Sequence, residues 1–288
     1  MVQQLVRIPP GAVVAAVDGS DIALAAAHVA AVEAEQRHRP LVLMHCFMWP
    51  VIYPPLTEVF PPDPGPRQRA ESLLATAADT IRHAHPGVDT QVLLRNGPPA
   101  AMLAEESSRA SLLVLGHRGS GGFAGLHIGS VAIHTAAHAR CPVLVVRGDR
   151  PAADAPVLVG VDGSDESQTA LDFAFQTADL RHVVLRVVAV WPSTWTLPLD
   201  VEETARRQAE QRLAKQLGDR PGRYPQVKLD VRVVPGDSAA GALIAEAHGA
   251  ALVAVGSRGR GGLRGILLGS VGRALIAHAP CPVVVCRG

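Results

Sequence analysis

The sequence predicts an α/β fold in which two consecutive domains each contain a parallel β-sheet with helices on both faces. Short apolar runs alternate with longer segments of helical period along the chain, which is typical of strand–helix units. The apolar runs are continuous, as expected for strands that are buried on both faces. The same order occurs twice within 288 residues, and each half has the usual size of a single domain.

Five strands are predicted in each half. The first-half strands are Val13–Val17, Leu41–Phe47, Val88–Leu94, Leu112–Leu115 and Val143–Val146. The second-half strands are Val157–Val161, Val183–Val190, Val227–Val234, Leu252–Val255 and Val283–Cys286. Between the first-half strands, helical periodicity predicts helices over Ser20–Arg37, Arg67–His83, Pro99–Arg109 and Ser130–His138. Ser20 and Ser164 are expected to cap the first helix of each half, because a serine hydroxyl can accept a hydrogen bond from the helix N-terminus.

A tandem repeat organises the chain. The segment 13–21 matches 157–165, and 111–148 matches 251–288 without a gap, with about half of the positions identical in the longer match. We therefore expect one domain over residues 1–149 and a second over 156–288, joined by a short linker rich in proline and alanine.

Composition excludes several function classes. The 27 basic residues nearly balance 26 acidic ones, which leaves a nucleic-acid surface with little support. No apolar stretch reaches the ~20 residues that cross a bilayer, and residues 1–7 lack the pattern of a signal peptide, so a cytoplasmic protein is expected. The four cysteines form no Cys-x-x-Cys pair and are expected to be buried thiols. No metal-ligand pattern is present.

Each half contains a glycine-rich motif at the end of its fourth strand. Gly116–Gly119 is separated by nine residues from Gly129–Ser130, and Gly256–Gly259 is separated by nine residues from Gly269–Ser270. Glycines allow close approach of the backbone, and a Gly-Ser pair that opens a helix leaves N–H groups free, so each motif predicts a cradle for an anion. The two serine hydroxyls can either cap their helices or contact a phosphate.

The alternative is that these segments are only loops, but two copies with the same spacing favour the binding interpretation. No lysine follows a glycine in either motif, which excludes a Walker A loop. The dinucleotide fingerprint should follow the first strand of a βαβ unit rather than the fourth, which disfavours NAD or FAD.

Asp18 and Asp162 end the first strand of each half, where a carboxylate could accept a hydrogen bond from an amine or a sugar hydroxyl. The alternative is an aspartate that only shapes the turn before Gly-Ser. Recurrence in both halves, at a central strand of the sheet, favours the ligand role.

These motifs, together with the Val-Asp-Gly-Ser start and the Cys-Pro-Val final strand, resemble the universal stress protein family in its tandem-domain form. The resemblance covers nearly the whole chain. It implies a doubly wound sheet of strand order 3-2-1-4-5, ATP bound in each half, and dimer-type packing through the last strands.

The resemblance also assigns positions to the parts of the nucleotide. Adenine would lie near Asp18 or Asp162, with the backbone around Cys46 and Val190 completing the pocket. The ribose would lie near Gly116 or Gly256. The phosphates would lie on Gly119, Gly129 and Ser130 in the first half, or on Gly259, Gly269 and Ser270 in the second. Arg118 and Arg258 are the nearest cationic side chains to the phosphates. The alternative, to which we give equal weight, is that each is a solvated arginine of the loop.

The function expected from these features is that of an ATP-binding sensor or regulator in the stress response, with Mg²⁺ accompanying the nucleotide. No positioned catalytic base is visible, so no catalytic residue is predicted. A slow ATPase or nucleotidyl transferase using the same cradle is one alternative, and a scaffold that binds no nucleotide is another. The stress and the protein partner stay unidentified. Apolar final strands favour pairing between the halves or a homodimer.

Overall fold

A computed structural model of the chain describes residues 7–48, 65–119, 128–148, 151–191, 199–260 and 267–287. The chain forms two compact units. The first comprises residues up to Thr135 together with Ala139–Cys141, and the second comprises Ala136–His138 and everything from Pro142 onward. The last strand of the first repeat thus belongs to the second unit. The boundary at 149–156 stays a prediction for the sequence repeats.

The first unit is a parallel sheet with strands in the order β3-β2-β1-β4. Its elements are β1 (Ala12–Ala16), α1 (Asp21–Gln36), β2 (Leu41–Phe47), α2 (Gly65–Ala84), β3 (Thr90–Asn96), α3 (Pro99–Glu106), β4 (Ala110–Gly116) and the start of α4 (Ser130–His138). The central strand β1 is fully buried from Ala12 to Ala15. The buried face of α1 consists almost entirely of alanines, whose small side chains let the helix lie close to the sheet.

The second unit repeats this arrangement and adds two strands, the last strand of each repeat. Its elements are β5 (Val143–Val146), β6 (Val157–Val161), α5 (Asp165–Arg181), β7 (Leu185–Trp191), α6 (Leu199–Leu217), α7 (Arg220–Arg223), β8 (Leu229–Pro235), α8 (Ala239–Glu246), β9 (Leu252–Gly256), α9 (Ser270–His278) and β10 (Val283–Cys286). The order β8-β7-β6-β9-β10 is parallel throughout and corresponds to 3-2-1-4-5. Strand β5 pairs antiparallel with β10, so the last strands of the two repeats are neighbours in this unit.

Three strands begin about two residues later than the apolar pattern predicts. Val88 and Val227 lie in turns, where their amides donate to the carbonyls of His85 and Tyr224 at 3.1 Å. Val183 follows α5, and its amide donates to Ala178 O, also at 3.1 Å. These valines close a turn before their strands start, which the apolar pattern cannot distinguish from a strand.

The strand order determines where a ligand can bind. From β1 the chain crosses to β2 on one side, and β4 lies on the other side of β1; β6 has the same relation to β7 and β9. Helices connecting strands on opposite sides of a central strand leave a crevice at the carboxyl ends of that strand and its neighbour. The aspartates and the glycine motifs follow these strand ends.

Candidate functional site

Each aspartate that follows the first strand organises the turn into the next helix. Oδ1 of Asp18 accepts hydrogen bonds from the amide of Ser20 at 3.0 Å and from its hydroxyl at 2.6 Å. Asp162 makes the same two bonds with Ser164, at 3.0 and 2.6 Å. Both serine hydroxyls accept a bond from the amide three residues on, at 3.2 Å. The prediction that Ser20 and Ser164 cap their helices is confirmed.

The second carboxylate oxygen of each aspartate lies against the glycine motif. Oδ2 of Asp162 accepts a hydrogen bond from the backbone N–H of Arg260 at 2.8 Å. A Cβ on Gly259 would lie 2.5 Å from the same oxygen, and a Cβ on Gly119 would be closer still to Oδ2 of Asp18. The turn role, which was the alternative in the sequence analysis, is therefore present. The ligand role stays a prediction.

The first glycine of each motif is required by contact with a helix. A Cβ on Gly256 would lie 2.8 Å from the carbonyl carbon and from Cβ of Glu166, in the first turn of α5. A Cβ on Gly116 would lie 2.5 Å from Cγ2 of Ile22 in α1. Strands β4 and β9 thus end so close to the first helix of their own repeat, α1 or α5, that only glycine fits.

The third glycine has a different environment. The amides of Gly129 and Gly269 donate to the carbonyls of His117 and Ser257, both at 2.8 Å, which joins the two ends of each motif. Both glycines are N-cap residues with ordinary extended backbone, and neither can supply a side-chain acceptor to its helix. A Cβ would make only ordinary contacts, at 3.4 Å or more. No side chain of a described residue caps either helix, so the first N–H groups of the helices are available to an anion as far as the described residues go.

In the second unit these parts line a cleft of about 380 Å³, within the usual range of small-molecule sites. All seven residues that the sequence analysis assigned to the second site lie along it: Asp162, Val190, Gly256, Arg258, Gly259, Gly269 and Ser270. Sequence reasoning missed the apolar lining from strands β6, β7 and β9 and from helix α8: Gly160, Val161, Val188, Ala239, Leu243 and Val255. It also missed Arg260. The cleft therefore combines an apolar wall with a polar loop.

In the first unit the structure brings Asp18, Gly119 and Gly129 together through the contacts described above, and the exposed Ser130 begins α4. Cys46 lies near the end of β2, where it pairs with Arg95 of β3. Burial raises the pKa of its thiol to about 12, against a smaller lowering by Arg95. Cys46 is therefore a neutral group here. Of the nine residues between the glycines in each motif, 120–127 and 261–266 lie outside the described residues.

The two arginines of the motifs differ in their partners. Nη2 of Arg258 lies 2.6 Å from Oε1 of Glu166, an ion pair in which the glutamate side chain is only 16% exposed. Nε of Arg118 is buried and has no hydrogen-bond partner within the described part of the chain. The alternative of a purely solvated loop arginine therefore fits neither residue, because one is paired and the other has a buried nitrogen.

Comparison with known proteins identifies the family. A model of the universal stress protein family matches residues 11–147 and again 155–287. The chain belongs to the universal stress protein family. Universal stress protein Rv2005c of Mycobacterium tuberculosis is 36% identical over 291 residues, which cover 96% of each chain. Universal stress protein Rv2623 of the same organism is 35% identical over 294 residues, again with 96% of each chain covered.

Solved structures of the family show the same fold. The crystal structure of a universal stress protein from Archaeoglobus fulgidus has a TM-score of 0.70 at 20% identity, covering 96% of this chain and 98% of that one. The α/β fold with tandem domains and the resemblance to the family are both confirmed. Among the helices that the structure describes, none has the length and apolar character needed to span a bilayer.

Proposed function

We propose that this universal stress protein binds ATP and acts as a nucleotide-dependent regulator in the stress response. The observation that carries the proposal is the N-terminus of α9, which has no side-chain cap and lines the cleft at Gly269 and Ser270. Peptide N–H groups at a helix N-terminus, with the positive end of the helix dipole, bind phosphate without needing a lysine.

The lining of the cleft supports a nucleotide rather than a bare phosphate ion. Apolar side chains of Val188, Val190 and Leu243 offer a surface for a flat base, and the loop from Arg258 to Arg260 offers cations and amides for phosphates. Asp162 is exposed, so its oxygens have capacity beyond the three bonds that they already accept. This carboxylate could accept a bond from a base amine or a ribose hydroxyl.

Mg²⁺ is proposed to accompany the triphosphate. Within the described residues, no three or more histidine, cysteine, aspartate or glutamate side chains group together as a metal site. A Mg²⁺ ion bound with ATP commonly takes only one or two protein carboxylates, with phosphates and water completing its shell. Asp162 is a carboxylate that lines this cleft. Such a regulator would act in the cytoplasm on a protein partner, as a homodimer or through pairing of the two repeats.

The test is the nucleotide content and ATP binding of the purified full chain. Nucleotide released by denaturation would be identified and counted, and ATP binding would then be measured by equilibrium dialysis. Two ATP per chain are expected. Predominant ADP or AMP, with turnover in a hydrolysis assay, would favour the slow enzyme over the regulator.

A variant pair makes this test specific. Gly269→Asp places a carboxylate that can itself cap α9 and also repels phosphate, so the protein should fold while the second site loses ATP. Gly222→Asp changes the net charge equally at a position where a Cβ meets nothing within 4 Å, and should bind as the unmodified chain does. Lack of ATP binding by the unmodified chain would overturn the proposal in favour of a scaffold. Equal ATP binding by Gly269→Asp would overturn the placement of the phosphates at the N-terminus of α9.

A further inference from the structure

One position separates the two sites chemically. Four residues after the turn aspartate, which occurs in both repeats, the first repeat has Ile22 and the second has Glu166. Both residues contact the first glycine of their motif, since a Cβ on Gly116 or Gly256 would collide with them. The two side chains therefore start from the same place in the two units, but only one carries a charge.

Glu166 forms an ion pair with Arg258, the arginine of the second glycine motif. Its Oε1 lies 2.6 Å from Nη2 of Arg258, and the two side chains are 16% and 44% exposed. Arg258 also lines the cleft in which the phosphates are proposed to bind. In the first repeat, Ile22 can offer no such bond, and Nε of the equivalent Arg118 is buried without a hydrogen-bond partner in the described ranges.

We propose that Glu166 sets the phosphate preference of the second site by holding the guanidinium of Arg258, so that the two sites of one chain differ in affinity for triphosphate. The inference rests on the proposed nucleotide binding. A phosphate that approaches Arg258 has to replace a charge-assisted bond to a partly buried carboxylate. The first site lacks this competitor and takes triphosphate more tightly.

Replacing Glu166 should change only the part of the binding affinity that comes from the phosphates. An ion pair with one partner half-exposed contributes modestly, so its removal should change the dissociation constant for ATP about fivefold. Adenosine carries no phosphate, and its affinity for the same site should not change. The ratio of the two dissociation constants therefore reports on Glu166 independently of the fit of the base.

The experiment measures ATP and adenosine binding by the full chain in the Gly129→Asp background, which leaves only the second site. Glu166→Gln keeps the shape and removes the charge, and Glu166→Ile introduces the residue of the first repeat. Both should bind ATP about fivefold more tightly than their parent, with adenosine unchanged. In the Gly269→Asp background, Ile22→Glu should weaken ATP binding at the first site.

A third variant tests whether Glu166 acts through Arg258. In a chain that also carries Arg258→Gln, the change Glu166→Gln should no longer tighten ATP binding, because no guanidinium is left to release. Persistent tightening there would overturn the assignment, as would an unchanged or weaker ATP affinity of Glu166→Gln in a chain that binds adenosine normally. If neither parent binds adenosine or ATP, the proposed function fails and the inference fails with it.

Discussion

Because Gly259 lies against the carboxylate of Asp162, we expect the added methyl group of Gly259→Ala to destabilise the fold. In Gly259→Ala the new Cβ would lie 2.5 Å from Oδ2 of Asp162, where ordinary contacts begin at 3.4 Å. Either the carboxylate or the loop has to move. The same carboxylate accepts bonds from the amide of Arg260 at 2.8 Å and from the hydroxyl of Ser164 at 2.6 Å, so movement of the carboxylate breaks at least one of them.

The size of the effect follows from these contacts. Overpacking costs about 1–3 kcal/mol, and a hydrogen bond to a charged group contributes about 1.5–3 kcal/mol. Because Asp162 is exposed, water replaces part of the lost bond, and we expect the free energy of unfolding to fall by ~1–2 kcal/mol. For a unit of this size, that corresponds to a decrease in Tm of about 2–8 °C.

The assay is a double-mutant cycle on the full chain, followed by urea and thermal unfolding. Asp162→Ala alone loses the carboxylate bonds, but it also removes the oxygen that the new methyl group would strike. Gly259→Ala should therefore cost little in the Asp162→Ala background, which gives a coupling energy of ~1–2 kcal/mol. Gly222→Ala, with no atom within 4 Å of the added Cβ, serves as the control and should stay within about 0.5 kcal/mol of the unmodified chain.

The result that would refute this reasoning is additivity. If Gly259→Ala costs the same with and without the Asp162 carboxylate, to within about 0.5 kcal/mol, the carboxylate is not what excludes a side chain at position 259. A cost as small as that of the control would refute the close contact itself.

Three further predictions concern other parts of the fold. Ser164→Ala removes the hydroxyl that caps α5 and should lower the free energy of unfolding in urea by about 1 kcal/mol, most of which Ser164→Thr should restore because it keeps the hydroxyl. Burial raises the pKa of the Cys141 and Cys281 thiols to about 12, so neither should react with a thiol reagent at pH 8 until the protein unfolds; labelling of the folded chain, located by mass spectrometry, would contradict this. Hydrogen bonding from Arg232 holds the pKa of Asp230 below its usual value, so its stabilisation exists above the unfolded pKa of about 3.9 and is lost as the pH falls through the folded pKa. Asp230→Asn should accordingly destabilise the protein at pH 7 but progressively less below about pH 4, and a difference that does not vary with pH would contradict the ion pair.

The sequence predicted the strands, the turn aspartates and the glycine motifs from local patterns that occur twice, whereas the strand order came from the resemblance to the family. Buried strands, turn aspartates and glycine motifs each have a residue pattern of their own. The apolar wall of the cleft has no residue pattern of its own, because in the sequence Val188 and Leu243 cannot be distinguished from other core residues. Glu166 was missed for a related reason. Its role depends on Arg258, which is 92 positions away in the sequence, and the only available signal was the difference between Glu166 and Ile22 at matching positions.

The repeated motif contains two kinds of glycine, which differ in whether the protein leaves room for a side chain. Gly256 and Gly259 have no room for a side chain because Glu166 and Asp162 press against them, so the fold requires them whether or not a ligand binds. Gly269 has room for a methyl group in the protein alone. Contacts with the described residues therefore do not require a glycine at this position, whereas the proposed phosphate on the N–H groups of α9 does. Within the motif, this third glycine is therefore the position where a substitution should separate binding from folding.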